Sequence, residues 1–326
     1  MRYIGNICVT GGAGFIGTHV TRRLALQGYQ VTVVDSLEDG TYEATIREEY
    51  MRETLLLFPD VVLRQVAVED TDRLPDIFRQ SKFDAVIHLA ALAGVRPSIQ
   101  DPLRYNRVNV QGTLNLLELC RETRVPIFIN MSSSSVYGNI RVRPYVESMP
   151  LTEMVSPYAV TKRQAEIMVD YYAREYNMSS VSLRPFTVYG EYGRPDMFIR
   201  DTLQRVSSGE TVTLFGDGTT FRDYTYVGDV VDLIVSALHK PSYGHHRIVN
   251  AGTGITTSLS DLVSRIGQTV DREPITRHIG QQQGDAYGTH ANIALANHLF
   301  GYTPKVPLAQ GLERTWTWMQ ESKCSQ

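Results

Sequence analysis

Apolar residues along the first half of the chain fall into two alternating patterns. Short, almost wholly apolar runs occupy 7–10, 31–35, 61–68, 85–89, 126–131 and 180–184. Runs of that length suit strands covered on both faces. Between them lie segments whose apolar residues recur every three or four positions, the spacing of one helix face. Phe15, Ile16, Val20 and Leu24 mark such a helix over 15–27, and Val108, Leu114, Leu117 and Leu119 mark another over 103–121. Further helices are predicted at 74–80 and 158–176. Strands that alternate with helices predict a parallel, doubly wound α/β sheet.

Beyond Pro185 the alternation fails, and loops rich in Gly, Pro and Asp dominate, with helices expected near 199–207, 227–238, 259–267 and 294–300. The chain is therefore expected to divide into a sheet domain over 1–184 and a smaller, irregular α/β lobe over 185–326 that holds substrate, with segments near 220–250 returning to the first. No internal repeat or low-complexity linker separates the two.

Composition narrows the function classes. The 326 residues are 42% hydrophobic and 21% charged, ordinary for a soluble globular enzyme and wrong for a disordered or fibrous chain. A net charge of −3 offers no basic field for nucleic acid or for an acidic membrane surface. Cys8, Cys120 and Cys324 are odd in number and widely spaced, which predicts free thiols in a reducing, cytoplasmic setting rather than a disulfide or zinc framework. The opening Met1-Arg2-Tyr3-Ile4-Gly5 does not read as a signal peptide, and no run approaches the roughly 18 apolar residues of a membrane span. No metal is expected.

Two constellations carry chemistry. The first is Gly11-Gly12-Ala13-Gly14-Phe15-Ile16-Gly17, set between a predicted strand and a predicted helix. Gly11 permits a tight turn, Gly14 lets a pyrophosphate approach the helix N-terminus, and Gly17 allows close helix–strand packing. The next strand ends in Asp35, an acceptor for the adenine-ribose hydroxyls that would repel a 2′-phosphate. Together they predict a Rossmann-type fold and NAD in preference to NADP. The second constellation is Ser132-Ser133-Ser134-Ser135-Val136-Tyr137-Gly138, followed by Tyr158-Ala159-Val160-Thr161-Lys162. Four residues make about one helical turn, so Tyr158 and Lys162 project to one side. A cation beside a phenol is expected to lower its pKa and open it to use as a base. Ser132–Ser135 could equally be a polar loop and Tyr158 a helix-face aromatic.

With these motifs in place, the chain resembles the extended short-chain dehydrogenase/reductases, specifically their nucleotide-sugar epimerases and dehydratases. The likeness runs nearly end to end, through His88-Leu89-Ala90-Ala91, Asn109-Val110-Gln111-Gly112-Thr113, Ser156-Pro157-Tyr158, Phe215-Gly216-Asp217-Gly218 and Arg222-Asp223-Tyr224. The resemblance implies Ser133 as the catalytic hydroxyl, Tyr158 as base and Lys162 on the nicotinamide ribose. It also implies that Leu89, Ala90, Ala91, Asn109 and Pro185 line the cofactor, and that Arg222 meets the diphosphate of a UDP-sugar. Thr187 followed by Arg194-Pro195-Asp196-Met197 looks like the UDP-glucuronate 4-epimerases, although Arg194 could simply pair with Asp196 in a surface loop. A homodimer is implied, built on the helices at 103–121 and 158–176.

Four positions depart from the family pattern: Ala67, Pro185, Gln282 and Asn292 stand where relatives usually carry Asp, an aromatic, Arg and Asp. Dehydratases place Asp-Glu where this chain has Ser134-Ser135, and UDP-glucuronate decarboxylases place Glu at Ser135. Hydroxyls cannot replace those carboxylates at neutral pH. The expected activity is therefore 4-epimerisation of UDP-glucuronate through a 4-keto sugar, with Ser133, Ser134, Thr187 and Arg194 holding the sugar carboxylate. A UDP-glucose epimerase, a decarboxylase and a non-catalytic NAD-binding regulator are the alternatives.

Overall fold

The computed structural model of the chain describes residues 5–40, 42–280 and 288–324. The sheet-forming half runs β1 (Asn6–Thr10), α1 (Phe15–Leu26), β2 (Gln30–Asp35), α2 (Ala44–Leu57), β3 (Val62–Gln65), α3 (Leu74–Ser81) and β4 (Ala85–His88). It continues through α4 (Val95–Gln100), α5 (Pro102–Asn106), α6 (Gly112–Thr123), β5 (Ile127–Met131), α7 (Pro157–Glu175) and β6 (Ser179–Pro185). The second half adds β7 (Thr187–Tyr189), α8 (Phe198–Ser208), β8 (Val212–Phe215), β9 (Phe221–Arg222), β10 (Tyr224–Tyr226), α9 (Val227–His239) and β11 (His246–Ala251). Last come β12 (Thr257–Ser258), α10 (Leu259–Val270), β13 (Thr276–Ile279), α11 (Ala294–Phe300) and α12 (Leu308–Cys324).

Seven parallel strands form one sheet in the order β11-β6-β5-β4-β1-β2-β3. Its two faces follow from the period of two along each strand. Ile7, Val9, Val33, Ile87 and Ile129 turn to a layer with Val20 and Leu24 of α1 and Val230, Leu233 and Ile234 of α9. Cys8, Val34, Val86 and Phe128 turn the other way, onto Leu74 and Phe78 of α3, Leu116 and Leu117 of α6 and Val169 of α7. Both faces are covered, so the strands read as continuous apolar runs. The order reverses at β1, whose neighbours are β2 and β4, and open α/β sheets leave a crevice at that point, beyond the strand C-termini. Strand β11 lies against β6, so the chain returns to the sheet after entering the second half.

Three expectations need correction. The helix expected over 103–121 runs without a break from Pro102 to Thr123, but it is not uniformly α: it winds as a π-helical turn at Arg107–Gln111, between α5 and α6. The third strand is only four residues long, at the exposed edge of the sheet. Helices α2 and α12 went unpredicted. In α2 only Tyr50, Met51 and Thr54 are buried, while Leu56 and Leu57 are 74% and 63% exposed, so its apolar residues make no stripe.

One buried ion pair joins the layers. Glu166 of α7 and Arg184 of β6 are 0% and 1% exposed, with Nε–Oε1 at 2.8 Å and Nη2–Oε2 at 2.9 Å. Ser132, just past β5, donates to the same carboxylate at 2.6 Å, and Arg163 donates at 2.9 Å. Burial alone would raise this carboxyl, but Arg184, Ser132 and Arg163 outweigh it and hold it below the usual range. Removing one partner of a fully buried pair strands the other. Arg184→Met should therefore cost about 3–5 kcal/mol of stability, read by urea unfolding. A loss near 1 kcal/mol would show that Arg163 and Ser132 alone can hold the charge.

Candidate functional site

A cleft of roughly 430 Å³ opens beyond the C-terminal ends of the central strands. Its floor is the turn after β1. Gly11 sits at φ +68°, and a Cβ there would come within 2.6 Å of the Ala90 backbone nitrogen, so glycine is required. A Cβ at Gly17 would overlap the Gly11 carbonyl. Gly14 is the N-cap of α1, no side chain makes a capping hydrogen bond to the first turn, and that turn carries no acid. Gly11, Gly14, Phe15, Ile16 and Gly17 all line the cleft. This bare helix start presents free N–H groups to an anion, so the residues present fit a dinucleotide pyrophosphate.

Asp35, at the end of β2, lines the same cleft and is 5% exposed. Its Oδ2 accepts from Ala13 N at 3.1 Å and its Oδ1 from Leu37 N at 3.0 Å, while Arg47 Nη1 lies 3.3 Å from Oδ1. Burial raises this carboxyl; the two N–H groups and Arg47 offset part of that. The opposite side is Leu89, Ala90 and Ala91, tied down by Leu89 N to Thr10 O (3.0 Å) and Ala90 N to Thr10 Oγ1 (3.3 Å). Below them His88 bridges Thr10 and Thr113, and burial drives its pKa down to about 3, so it stays neutral.

The same cleft also gathers Ser133, Ser134, Ser135, Tyr158, Pro185, Thr187 and Arg194. The Ser133 hydroxyl accepts from Ser135 N at 3.1 Å, capping a short 3₁₀ turn. Burial raises the Tyr158 phenol, while its hydrogen bond with Ser133 and the charge of Arg194 pull it back. Arg194 does make the loop pair with Asp196, two bonds of 3.0 Å through Nε and Nη2, yet it also lines the cleft.

Three expected site residues are not on the cleft surface. Lys162 sits one turn beyond Tyr158, but its Nζ donates to Met131 O at 2.8 Å. Burial pushes its pKa down to about 8 against the pull of Glu166. The groups that lower the phenol against burial are the Ser133 side chain and the charge of Arg194. Asn109 is 2% exposed and works from behind: Oδ1 accepts from Leu92 N at 2.8 Å, and Nδ2 donates to Leu92 O and to Thr161 Oγ1. It fixes the cleft-lining 89–93 segment rather than forming it. Arg222 lies on β9, bonded to Phe221 O, away from the described lining. Of the four departures, Ala67 and Pro185 line the cleft, Asn292 accepts from Ala294 N at 2.9 Å at the start of α11, and Gln282 lies outside the described residues.

Sequence reasoning missed Tyr42, Arg47 and Arg104, all on the cleft. For Tyr42 and Arg47 the available signal was positional: the segment that follows the acid-tipped β2 must pass the rim of this crevice. Among the described residues, no group of three His, Cys, Asp or Glu could hold a metal ion, and no helix is long and apolar enough to cross a membrane.

Residues 7–252 match the NAD dependent epimerase/dehydratase family. A UDP-glucuronate 4-epimerase of Thermodesulfobacterium geofontis is 33% identical over 320 residues, covering 98% of this chain and 97% of that protein. Among solved structures, UDP-glucuronic acid 4-epimerase from Bacillus cereus, in complex with UDP-glucuronic acid and NAD, superposes with a TM-score of 0.90 at 32% identity, covering 97% and 99% of the two chains. UDP-glucose 4-epimerase from Thermotoga maritima, with UDP-glucose, gives 0.88 at 33% identity, covering 98% and 99%. Matched by the family model over residues 7–252 and by relatives over nearly all its length, the chain belongs to the NAD-dependent epimerase/dehydratase family, within the extended short-chain dehydrogenase/reductases.

Proposed function

We propose that this chain is an NAD-dependent UDP-sugar 4-epimerase whose preferred pair is UDP-glucuronate and UDP-galacturonate. The observation that carries the reading is the meeting of Tyr158, Ser133, Thr187 and Arg194 at one end of a cleft whose other end is the glycine turn and Asp35. Bound NAD+ would supply a hydride acceptor for C4 and then return the hydride to the other face of the ring. The protein's own task is proton management and positioning. Tyr158 takes the proton of the C4 hydroxyl and later restores it, with the Ser133 side chain easing ionisation of the phenol. Lys162 holds the end of β5 and, from behind the cleft lining, would offer its ammonium to the nicotinamide ribose of a bound cofactor.

The glucuronate preference rests on charge. Oxidation at C4 makes a β-keto acid, because the C5 carboxylate then lies one carbon from the ketone. Such an acid loses CO2 when the breaking bond aligns with the carbonyl π-system, so an epimerase must hold the carboxylate out of alignment. Ser133, Ser134 and Thr187 offer short hydroxyl donors, and the Arg194–Asp196 pair leaves Arg194 Nη1 outside it. Ser134 and Ser135 supply no carboxylate where the dehydrating and decarboxylating relatives need one. The competing UDP-glucose reading has relatives of equal identity behind it, and Arg194 is what favours the acid. Product analysis by NMR should show UDP-glucuronate converted to UDP-galacturonate in preference to UDP-glucose turnover. A UDP-pentose as main product would overturn the reading.

The cofactor domain is assigned to 1–184 with the 220–250 region, as the place of β11 beside β6 supports, and the sugar lobe to the rest of 185–326. The buried, unbonded thiols of Cys8 and Cys120 support a reducing, cytoplasmic setting. A homodimer is supported by exposed apolar side chains on packed helices: Ile99 and Leu103 of α4 and α5, and Val160, Ile167 and Tyr171 of α7. Sedimentation should give twice the chain mass, falling to one chain mass in Ile167→Glu; a wild-type monomer would refute the dimer.

Ser133 lowers the Tyr158 phenol, and the phenolate is the active base. Removing that hydrogen bond raises the phenol, so the acid limb of kcat/KM should move to higher pH in Ser133→Ala, by about one pH unit. Tyr158→Phe should lose the limb together with about 100-fold or more of turnover. An unmoved limb in Ser133→Ala would show that another group sets it.

A further inference from the structure

Tyr192 holds a backbone shape that tyrosine rarely takes. Its φ is +60°, in the left-handed region where a bulky L-residue is crowded and glycine is preferred. It stands two residues before Arg194, in the loop between β7 and α8. Strain of this kind persists only where the surroundings over-determine it, so the contacts of the side chain are what hold the loop in this shape.

Those contacts all lie behind the cleft lining. Arg22 of α1 donates through Nη1 to the Tyr192 hydroxyl at 2.6 Å, and its guanidinium carbon stands 4.4 Å from the ring centre. The hydroxyl donates to Glu53 Oε2 of α2 at 3.0 Å, and Arg22 Nη2 closes the triangle on that carboxylate at 3.1 Å. The rings of Tyr50 and Trp318 meet the Tyr192 ring at 4.9 and 5.1 Å between centres. Both neighbours of Tyr192 are held by their carbonyls: His19 Nε2 donates to Glu191 O at 2.8 Å, and Arg200 Nη1 donates to Gly193 O. Arg200 is itself fixed by the Tyr50 hydroxyl at 3.0 Å and lies 5.0 Å from the Trp318 ring centre. On the other side, Met197 N donates to Arg194 O at 3.1 Å where α8 begins. Arg194 thus leaves a backbone that is fixed before and after it. Its pair with Asp196 cannot do this alone, because the Asp196 side chain is 48% exposed and exposed pairs are weak.

We propose that Tyr192 is a positioning residue for Arg194: seated against Arg22, Tyr50 and Trp318, it fixes the backbone from which Arg194 enters the cleft, and so sets the preference for a charged sugar over a neutral one. The inference rests on the reading that Arg194 meets the sugar carboxylate. A charged hydrogen bond gains most when its donor already stands in place, because ordering a free arginine offsets part of the gain. UDP-glucose has no carboxylate and makes no such demand. Loosening the loop should therefore weaken one sugar and spare the other, which is a change of specificity rather than of binding in general. Through Trp318, α12 contributes to that choice from outside the cleft.

The test uses the NAD-loaded enzyme and reads two constants: KM for UDP-glucuronate, and the inhibition constant of UDP-glucose against it. Tyr192→Gly suits the backbone but removes the anchor. It should raise KM for UDP-glucuronate about 5- to 10-fold and leave the UDP-glucose constant within about twofold. Tyr192→Phe keeps the ring contacts and should restore most of the loss. Arg194→Ala should raise the same KM about 10- to 100-fold, and adding Tyr192→Gly to it should cost less than about a further twofold, because the two act as one unit. A normal KM in Tyr192→Gly beside a full loss in Arg194→Ala would overturn the anchor and leave the glucuronate reading standing. Equal weakening of UDP-glucose, or full additivity in the double variant, would also overturn it, since either marks a general structural role. An unchanged KM in Arg194→Ala would sink the glucuronate reading and the inference with it. If Tyr192→Gly does not fold, Arg200→Met decides on the same two constants, since it gives up the Gly193 bond and keeps an apolar stem beside Trp318.

Discussion

The Glu166 carboxylate, wholly inside the protein, is the point on which the catalytic geometry hangs. It lies on the same helix as Tyr158 and Lys162 and accepts from Arg184 of β6 and from Ser132 at the end of β5. One charged group thus pins α7 to the C-terminal ends of two strands. Lys162, a turn earlier, repeats the attachment by donating to Met131 O. With the helix fixed at two successive turns, Tyr158 and Ser133 are held on the same cleft, where the Ser133 side chain lowers the phenol. Preorganisation of this kind is what lets a weakly acidic phenol take part in proton transfer without a reorganisation cost at each turnover.

Burial sets the proton chemistry of the same region. It raises the Tyr158 phenol and lowers the Lys162 ammonium, so each charged form is disfavoured by its surroundings. Ser133 and Arg194 work against burial for the phenol, and Glu166 works against it for the ammonium. The active site is thus a region of low polarity in which a few named groups decide which side chains carry charge. Arg194 has two parts in this, easing ionisation of the Tyr158 phenol and bringing charge to the cleft lining. Removing it would disturb both together.

The architecture was legible in the sequence wherever its causes are local. The turn Gly11–Gly17 and the acid at Asp35 follow from steric and hydrogen-bonding demands within one strand–turn–helix unit, and the structure brings them to one cleft. The alternation of apolar strands and periodic helices follows from burial on both faces of the sheet. What escaped notice depends on partners far along the chain. Lys162 has the helical spacing of a residue beside the phenol, but its Nζ is claimed by Met131, 31 positions away. Asn109 carries a cofactor-lining motif, yet its amide is spent on Leu92 and Thr161. Helix α2 hid because Leu56 and Leu57 face outward, and Arg47 stayed hidden with it.

The central chemical claim is that C4 loses and regains the same hydrogen inside a closed site. UDP-glucuronate labelled with deuterium at C4, turned over in ordinary water, tests it directly by mass spectrometry and NMR of the recovered UDP-galacturonate. Full retention of deuterium at C4 is the predicted result, because a hydride held within the cleft does not exchange with solvent. Replacement of the label by hydrogen from water would contradict it, since the C–H bond would then break by proton loss and Tyr158 would be acting on carbon rather than on the hydroxyl.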